Sequence, residues 1–333
     1  LVDLLLHLGA DINLVDDHDW PLLHQAAMNG HLDVCRVLIS RGAVVNSRKH
    51  GELPMHMAAA EGHTHVLELL LDNDPLVHVD EKNGNGRSAL TLAALFGNFG
   101  AAALLLARGA DVNGTNCVAD CRPLYAAAQQ GHFRIVELLL NQPGIDVGRV
   151  SEAAGRTPLH DAINGWSFRL TSCLVSRGTD MAGLFQSRSL DLATPSYSAC
   201  KCVACDQHVK TVRLLLEQPR IGINDTDMQG RTPLLMVAAT GAYDLIALLL
   251  ARGATASAQV VPGAVGLYQV EGWTALHVAA ARGHLGAVTL LLSHPGVSAN
   301  EHAVDHRTAL HFAVMQDGFD VVVSLLDRGA NID

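Results

Sequence analysis

Three cysteines and a histidine within nine residues, Cys200-x-Cys202-x-x-Cys205-x-x-His208, form the one run in this chain with the spacing of metal ligands. Soft thiolates and an imidazole that close together can wrap a tetrahedral zinc ion. Helix geometry argues the other way. On a continuous helix Cys202, Cys205 and His208 share one face while Cys200 points away, so four ligands from this run would require the helix to break. The packing reading is preferred, with free thiols acting as small apolar side chains, and no metal or other cofactor is expected. Cys117 and Cys121 stand four apart with nothing nearby to complete a four-ligand site, and they read as turn residues.

Histidine is the other chemically suggestive type, at 18 of 333 residues. His56, His160, His277 and His311 fall at one recurring position, three residues after Leu53, Thr157, Thr274 and Thr308. His31, His63, His132 and His284 each follow a glycine. A catalytic base should break such a phase, so these eight are expected to serve the scaffold's hydrogen bonds. His18, His50 and His306 lie outside the phase and stay open. No nucleophile elbow, phosphate loop or carboxylate pair set against a cleft can be found, so the preferred reading is non-catalytic.

The elements that must carry these residues repeat. In Gly272 to Gly296, GWTALHVAAARGHLGAVTLLLSHPG, Thr274 can cap a helix with Leu276, Ala279 and Ala280 on one narrow apolar face. Gly283 ends it, and Val288, Leu291 and Leu292 give the stripe of a second helix. Two helices of about ten residues cannot enclose a core, so copies must stack. The copies are present. A closing Gly-Ala pair occurs at Gly9-Ala10, Gly42-Ala43, Gly109-Ala110, Gly253-Ala254 and Gly329-Ala330, and Asp11-Ile12-Asn13 and Asp111-Val112-Asn113 follow two of them. The opening of the unit recurs as Thr157-Pro158-Leu159-His160 and Thr308-Ala309-Leu310-His311, more loosely as Leu53-Pro54-Met55-His56 and Arg122-Pro123-Leu124-Tyr125.

A period near 33 with these markers resembles the ankyrin repeat, over the whole of 1–333. The resemblance implies an all-α solenoid of stacked helix-turn-helix units with projecting β-turn or hairpin fingers, forming a single domain. The units divide as a half-repeat at 1–13 and repeats at 14–46, 47–80, 81–113, 114–149, 150–178, 179–224, 225–271, 272–300 and 301–333. Those at 179–224 and 225–271 carry insertions, one including Gly183 to Ser198 and one running from Thr255 to Glu271. The second helix of the 179–224 unit is expected to begin near Val209, with Cys200 at a core position. Leu1 opens in the middle of a repeat, which points to a piece of a longer protein.

The resemblance also implies a groove, lined by finger tips and exposed first-helix positions, that holds protein partners. The candidates along it are His18 and Trp20, Gln25 and Met28, His50 and Met57, then Leu92, Leu95 and Phe96, then Gln129 and Gln130. Leu92 and Phe96 break a polar pattern and would anchor a partner if exposed. Trp166 stands where the helix-ending glycine belongs, so its ring is expected to face outward or into the groove. Tyr268 and Trp273, beside the second insertion, complete the set. The alternative is a small-molecule or enzymatic site built from His18, Trp20, Trp166, Tyr268 and Trp273 with the two insertions.

Composition narrows the partners. The chain has 33 acidic against 23 basic residues, a formal net charge of -10, and no basic cluster longer than Ser47-Arg48-Lys49-His50, so nucleic acid is not expected. Aromatics make up only 4% against 49% hydrophobic residues, which suits thin helix layers packed with Leu, Ala and Val. No apolar run approaches the roughly 18 residues that cross a bilayer. Seven cysteines, an odd number, point to a reducing compartment, cytoplasm or nucleus.

Overall fold

The computed structural model describes residues 11–12, 14–73, 78–114, 122–151, 154–166, 203–260 and 271–332, with the side chains of 203–205 left out. The chain divides into two compact units, Leu1–Asp146 and Val147–Asp333.

Both units are helical, and each layer is a pair of short helices. In the first unit the pairs are α1 (Leu22–Met28) with α2 (Leu32–Ser40), α3 (Pro54–Glu61) with α4 (Thr64–Asn73), α5 (Ala89–Phe96) with α6 (Phe99–Ala107), and α7 (Pro123–Gln130) with α8 (Phe133–Leu140). Local chemistry sets their ends. Ser88 caps α5 by accepting the Thr91 N–H at 3.3 Å, and Gly97 stops it in the left-handed region at φ 83°. The second helices bury apolar residues three and four apart, such as Val66, Leu67 and Leu70 or Ile135, Val136 and Leu139. Each such leucine contributes roughly 1.5–3 kcal/mol, but only against a neighbouring layer. Between layers run short hairpins, reduced to the isolated bridges Val15 with Pro21, Lys49 with Glu52 and Lys82 with Ser88.

The in-phase histidines join one layer to the next. His56 Nε2 donates to the Glu81 carbonyl at 2.9 Å, while its Nδ1 accepts the Leu53 N–H at 3.0 Å. His277 does the same between Glu301 and Thr274. The histidines after glycine reach back instead: His63 to the Met28 carbonyl, His132 to Leu95 and His284 to Ala239, at 3.0 to 3.3 Å. Gly30 has to be glycine twice over. Its φ is 72°, and a Cβ there would lie 2.5 Å from the His63 ring. A third tie was not anticipated in the sequence: Asn113, Asn224 and Asn300 donate to the carbonyls of Gly144, Gly253 and Gly329 in the following layer.

In the second unit helical residues 158–166 (α9) are followed by α10 (Val203–Leu216), α11 (Pro233–Ala238), α12 (Tyr243–Ala251), α13 (Ala275–Ala281), α14 (Leu285–Ser293), α15 (Ala309–Met315) and α16 (Phe319–Asp327). The partition of 150–224 into two repeats, 150–178 and 179–224, does not match its layers. His160 on α9 donates to the Arg231 carbonyl, 71 residues away, and the Met228 N–H bonds the Ala154 carbonyl. The finger ahead of α9 therefore lies directly on the finger ahead of α11. Arg252, after α12, reaches back to the Leu216 carbonyl at the end of α10. Thus α9 and α10 are the two helices of one layer, and residues 167–202 fall between them, outside the described residues. The turn expected before Val209 is also absent, because α10 runs unbroken through His208.

Candidate functional site

The candidate residues of the first finger converge. Asp16 organises it: its carboxylate accepts the His18 N–H at 2.9 Å and the Trp20 N–H at 2.8 Å and also takes the Gln25 side-chain amide. Those bonds, that of Trp20 foremost, hold its pKa below the ordinary aspartate value. Asp19 adopts φ 68° and His50, at the tip of the next finger, φ 50°, so both turns place a non-glycine residue in the left-handed region. The two fingers are tied by Lys49 Nζ to Asp19 at 3.0 Å and by His50 Nε2 to the His18 carbonyl at 3.2 Å. Trp20 lies between two imidazoles, its ring centroid 5.3 Å from His50 and 5.6 Å from His24. His18, Trp20, Gln25 and His50 thus form one surface. The sequence singled out those four as contacts and placed Asp16, Asp19 and Lys49 at the finger tips, without showing that these three tie the fingers together; their signal is charge alone, in Asp16 to Asp19 ahead of Trp20 and in Arg48-Lys49 ahead of His50.

His24, beneath that surface, departs from its counterparts. Where His56, His160, His277 and His311 accept a backbone N–H from the residue three before, His24 has Pro21, which has none to give. Among the described residues its Nδ1 has no hydrogen-bond partner, while Nε2 contacts the Glu52 carbonyl at 3.3 Å. Burial lowers its pKa.

The ends of the first helices make the second part of the site. Met28 and Gln129, two residues before their helix-ending glycines, are exposed, as are Asn29, Glu61 and Phe96 (57%), one residue before theirs, while Met57, further back on α3, is half-buried. Leu92 does not join them. It is only 6% exposed, because α5 is packed between α3 and α7 and only its last residues escape that packing. Leu95 is half-buried.

Two tryptophans also turn out to be buried. Trp166 is 0% exposed. Gly165 lies within α9 rather than ending it, the helix is continuous through residue 166, and the ring stays inside rather than facing the groove. Trp273 is 8% exposed, its ring centroid 4.2 Å from that of Phe312 on the next layer. Tyr268, Cys200 and Cys202 lie outside the described residues, as does the Cys205 side chain; His208 is buried on α10. Among the described residues no three His, Cys, Asp or Glu side chains are grouped to hold a metal ion. A cleft between fingers of the first unit, lined by Asp80, Lys82, Ser88, Thr91 and Asp111 among others, encloses about 20 Å³, room for a water molecule only.

Comparison with known proteins fits this layering. Models described as ankyrin repeats match residues 1–80, 46–116, 75–151, 197–250 and 256–333. The chain belongs to the ankyrin-repeat family. The stretch these ankyrin-repeat models pass over, 152–196, falls largely between the two helices of the divided layer. The nuclear factor NF-kappa-B p105 subunit of Gallus gallus is 32% identical over 171 residues, 51% of this chain and 17% of its own length. The human transient receptor potential cation channel subfamily A member 1 is 25% identical over 366 residues, 90% of this chain and 32% of its length. A putative palmitoyltransferase ZDHHC13 of Danio rerio is 30% identical over 201 residues, 58% of the chain and 30% of its length. The ankyrin-repeat chain thus spans less than a third of each of these relatives. Among its described residues no helix is long and apolar enough to cross a membrane.

Proposed function

We propose that this chain is a non-catalytic recognition module, a scaffold or adaptor that holds a segment of another protein along its fingers and first-helix ends. One observation carries the reading. Just before the helix-ending glycines at 30, 62, 97 and 131 the side chain differs in every layer of the first unit: Asn29, Glu61, Phe96 and Gln130 at the last position, and Met28, Ala60, Leu95 and Gln129 one residue earlier. A rigid frame with variable projections suits recognition of an extended partner, and exposed Met and Phe supply the apolar anchors that interfaces use. In the first unit the contact surface is assigned to His18, Trp20, Gln25, Met28, His50, Met57, Phe96 and Gln129. The partner is a protein rather than nucleic acid, in keeping with the net charge of -10. A cytoplasmic or nuclear setting goes with this reading, and the buried thiol of Cys35, free and pushed up to about 11 by burial, is inert there.

The test is capture from a cell lysate with the intact chain and with a Trp20→Ala, Met28→Ala, Phe96→Ala variant of unchanged thermal stability. Loss of the same captured proteins from the variant is expected. An identical set of partners would refute the placement of the surface.

A further inference from the structure

Three consecutive second helices of the second unit begin with a large apolar side chain held in water. Tyr243, Leu285 and Phe319 open α12, α14 and α16, and they are 51%, 40% and 74% exposed. These helices pack in that order, with α10 on the far side of α12. Their first residues form a row. A Cβ on Gly286 would lie 3.8 Å from the Tyr243 ring, so Tyr243 abuts the start of α14. The Thr289 and Ser324 hydroxyls, 35 residues apart in sequence, approach to 3.5 Å and so bring Phe319 level with Leu285.

Helix stacking does not require this exposure. In the first unit Phe99 opens α6, and the guanidinium of Arg134, second residue of α8, lies over its ring at 4.7 Å. The second residues of α14 and α16 are Gly286 and Asp320, and neither supplies such a cover. Gly286 lies within a helix and no left-handed backbone calls for it, so it weakens α14 while leaving Tyr243 exposed.

The charge along the row has one sign. No lysine or arginine occurs in α12, α14 or α16, whereas Asp244 and Asp320 stand in first turns and Asp317 just ahead of α16. Arg282, half-buried, precedes the turn into α14, and Arg252 and Arg328 lie past the far ends of α12 and α16. Lys210 and Arg213 on α10 mark where the acidic stretch stops.

Apolar side chains edged with carboxylates complement apolar side chains edged with cations. Spacing selects the partner's conformation. Packed helices stand about 8–10 Å apart, and seven residues of α-helix advance roughly 10 Å, so every seventh side chain meets a new layer from the same face. An extended chain covers that distance in about three residues, which turns alternate contacts away.

We propose that the starts of α12, α14 and α16 form a docking surface for a basic amphipathic helix of a partner protein, lying across the layers with one apolar side chain per heptad. None of its residues belongs to the contact surface assigned above, and it stands without that reading.

The intact chain is titrated by fluorescence anisotropy with a labelled alanine-based peptide that carries leucine at every seventh residue over three layers and lysines beside each leucine. The control has the same composition with leucine at every fifth residue, which scatters them around the helix. Wild type is expected to bind the heptad peptide in preference to the control. Tyr243→Ser with Phe319→Ser should bind it about tenfold more weakly, and Asp244→Asn with Asp320→Asn about threefold more weakly and with less salt dependence. Gly286→Arg, which sets a cation over Tyr243 as Arg134 lies over Phe99, should bind about tenfold more weakly yet melt no lower than wild type. No binding by wild type, equal binding of the control peptide, or wild-type affinity in the serine variant or in Gly286→Arg would each overturn the assignment. A wild-type dimer in sedimentation that the serine substitutions dissociate would overturn the partner helix in favour of a second copy of the chain.

Discussion

His56 makes the scaffold sensitive to acid, and the size of the effect can be worked out. Its Nε2–H donates to the Glu81 carbonyl and its Nδ1 accepts the Leu53 N–H, so both nitrogens are committed to the neutral ring. The side chain is fully buried, and burial above all pushes its pKa down to about 4 from the ordinary 6.5. Arg48 and His24 press in the same direction, and the Glu81 backbone and charge oppose them. Protonating Nδ1 would set its new hydrogen against the Leu53 N–H, with the Glu52 carboxylate 3.5 Å away as partial relief. Because the folded pKa lies below the unfolded one, the unfolded chain takes up the proton first as pH falls. Stability is therefore intact above about pH 7, falls from 6.5 downward, and stops falling on this account below 4. Linkage puts the loss at about 1.4 kcal/mol by pH 5.5 and about 3 kcal/mol by pH 4 from this residue alone. Glu52 and Glu301, raised by burial, act with the opposite sign nearer their own range, so the measurement belongs between pH 7.5 and 5.5. Urea unfolding of wild type and His56→Gln across that window, beside an NMR titration of the His56 ring, provides the assay. The variant should show about 1.4 kcal/mol less pH dependence. A ring that titrates at 6 or above, or equal acid loss in both proteins, would refute the reasoning.

Other consequences are simpler. Pro21→Thr should stabilise the first unit by about 1 kcal/mol, raising the urea midpoint, because it gives α1 a cap and His24 Nδ1 its missing donor. Gly97→Ala should destabilise by at least about 1 kcal/mol, since it forces alanine to φ 83° with its Cβ 2.7 Å from the His132 ring; an unchanged thermal midpoint would count against the interlayer role of that histidine. Trp166→Ala should cost about 3–5 kcal/mol by the same measurement, the loss expected of a filled core position. Phe96→Ala should change stability by less than about 0.5 kcal/mol and weaken partner capture, the reverse pattern.

The periodic part of this fold was legible because each marker has a local physical cause. A glycine at Gly62, Gly97 or Gly131 is needed where a helix stops in the left-handed region, and Pro54 and Pro123 suit helix starts. Seven of the eight in-phase histidines make the scaffold bonds expected of them, whereas His31 is exposed with no side-chain hydrogen bond among the described residues. Surface position was harder to read. Leu92 and Phe96 differ by four residues on one helix, and only the packing of α3 and α7 on either side decides that the first is buried. Trp166 replaces the very residue that would have ended α9, so sequence alone could not say whether the helix stopped short of it or ran through. The layer shared by α9 and α10 was misread for a deeper reason. Markers count segments, but which segment lies on which is a long-range fact, and here it is settled by His160 reaching a carbonyl 71 residues away.

That same bond bears on how the family's surface can vary. An ordinary layer spends its two helices within a short stretch of chain, so the turn between them is fixed by a glycine and by the next histidine, as Gly30 is by His63. In the divided layer Trp166 stands at the helix-ending position, with Gly165 inside α9, and His208 sits within the continuous α10. Its interlayer bonds are kept elsewhere: at the finger by His160 and Ala154, and after the second helix by Asn224 and Arg252. Those contacts hold a layer in place without constraining what joins its helices. The turn between helices is therefore the place where this scaffold accepts a long additional segment at no loss of register, because stacking depends on the finger and the layer's far end.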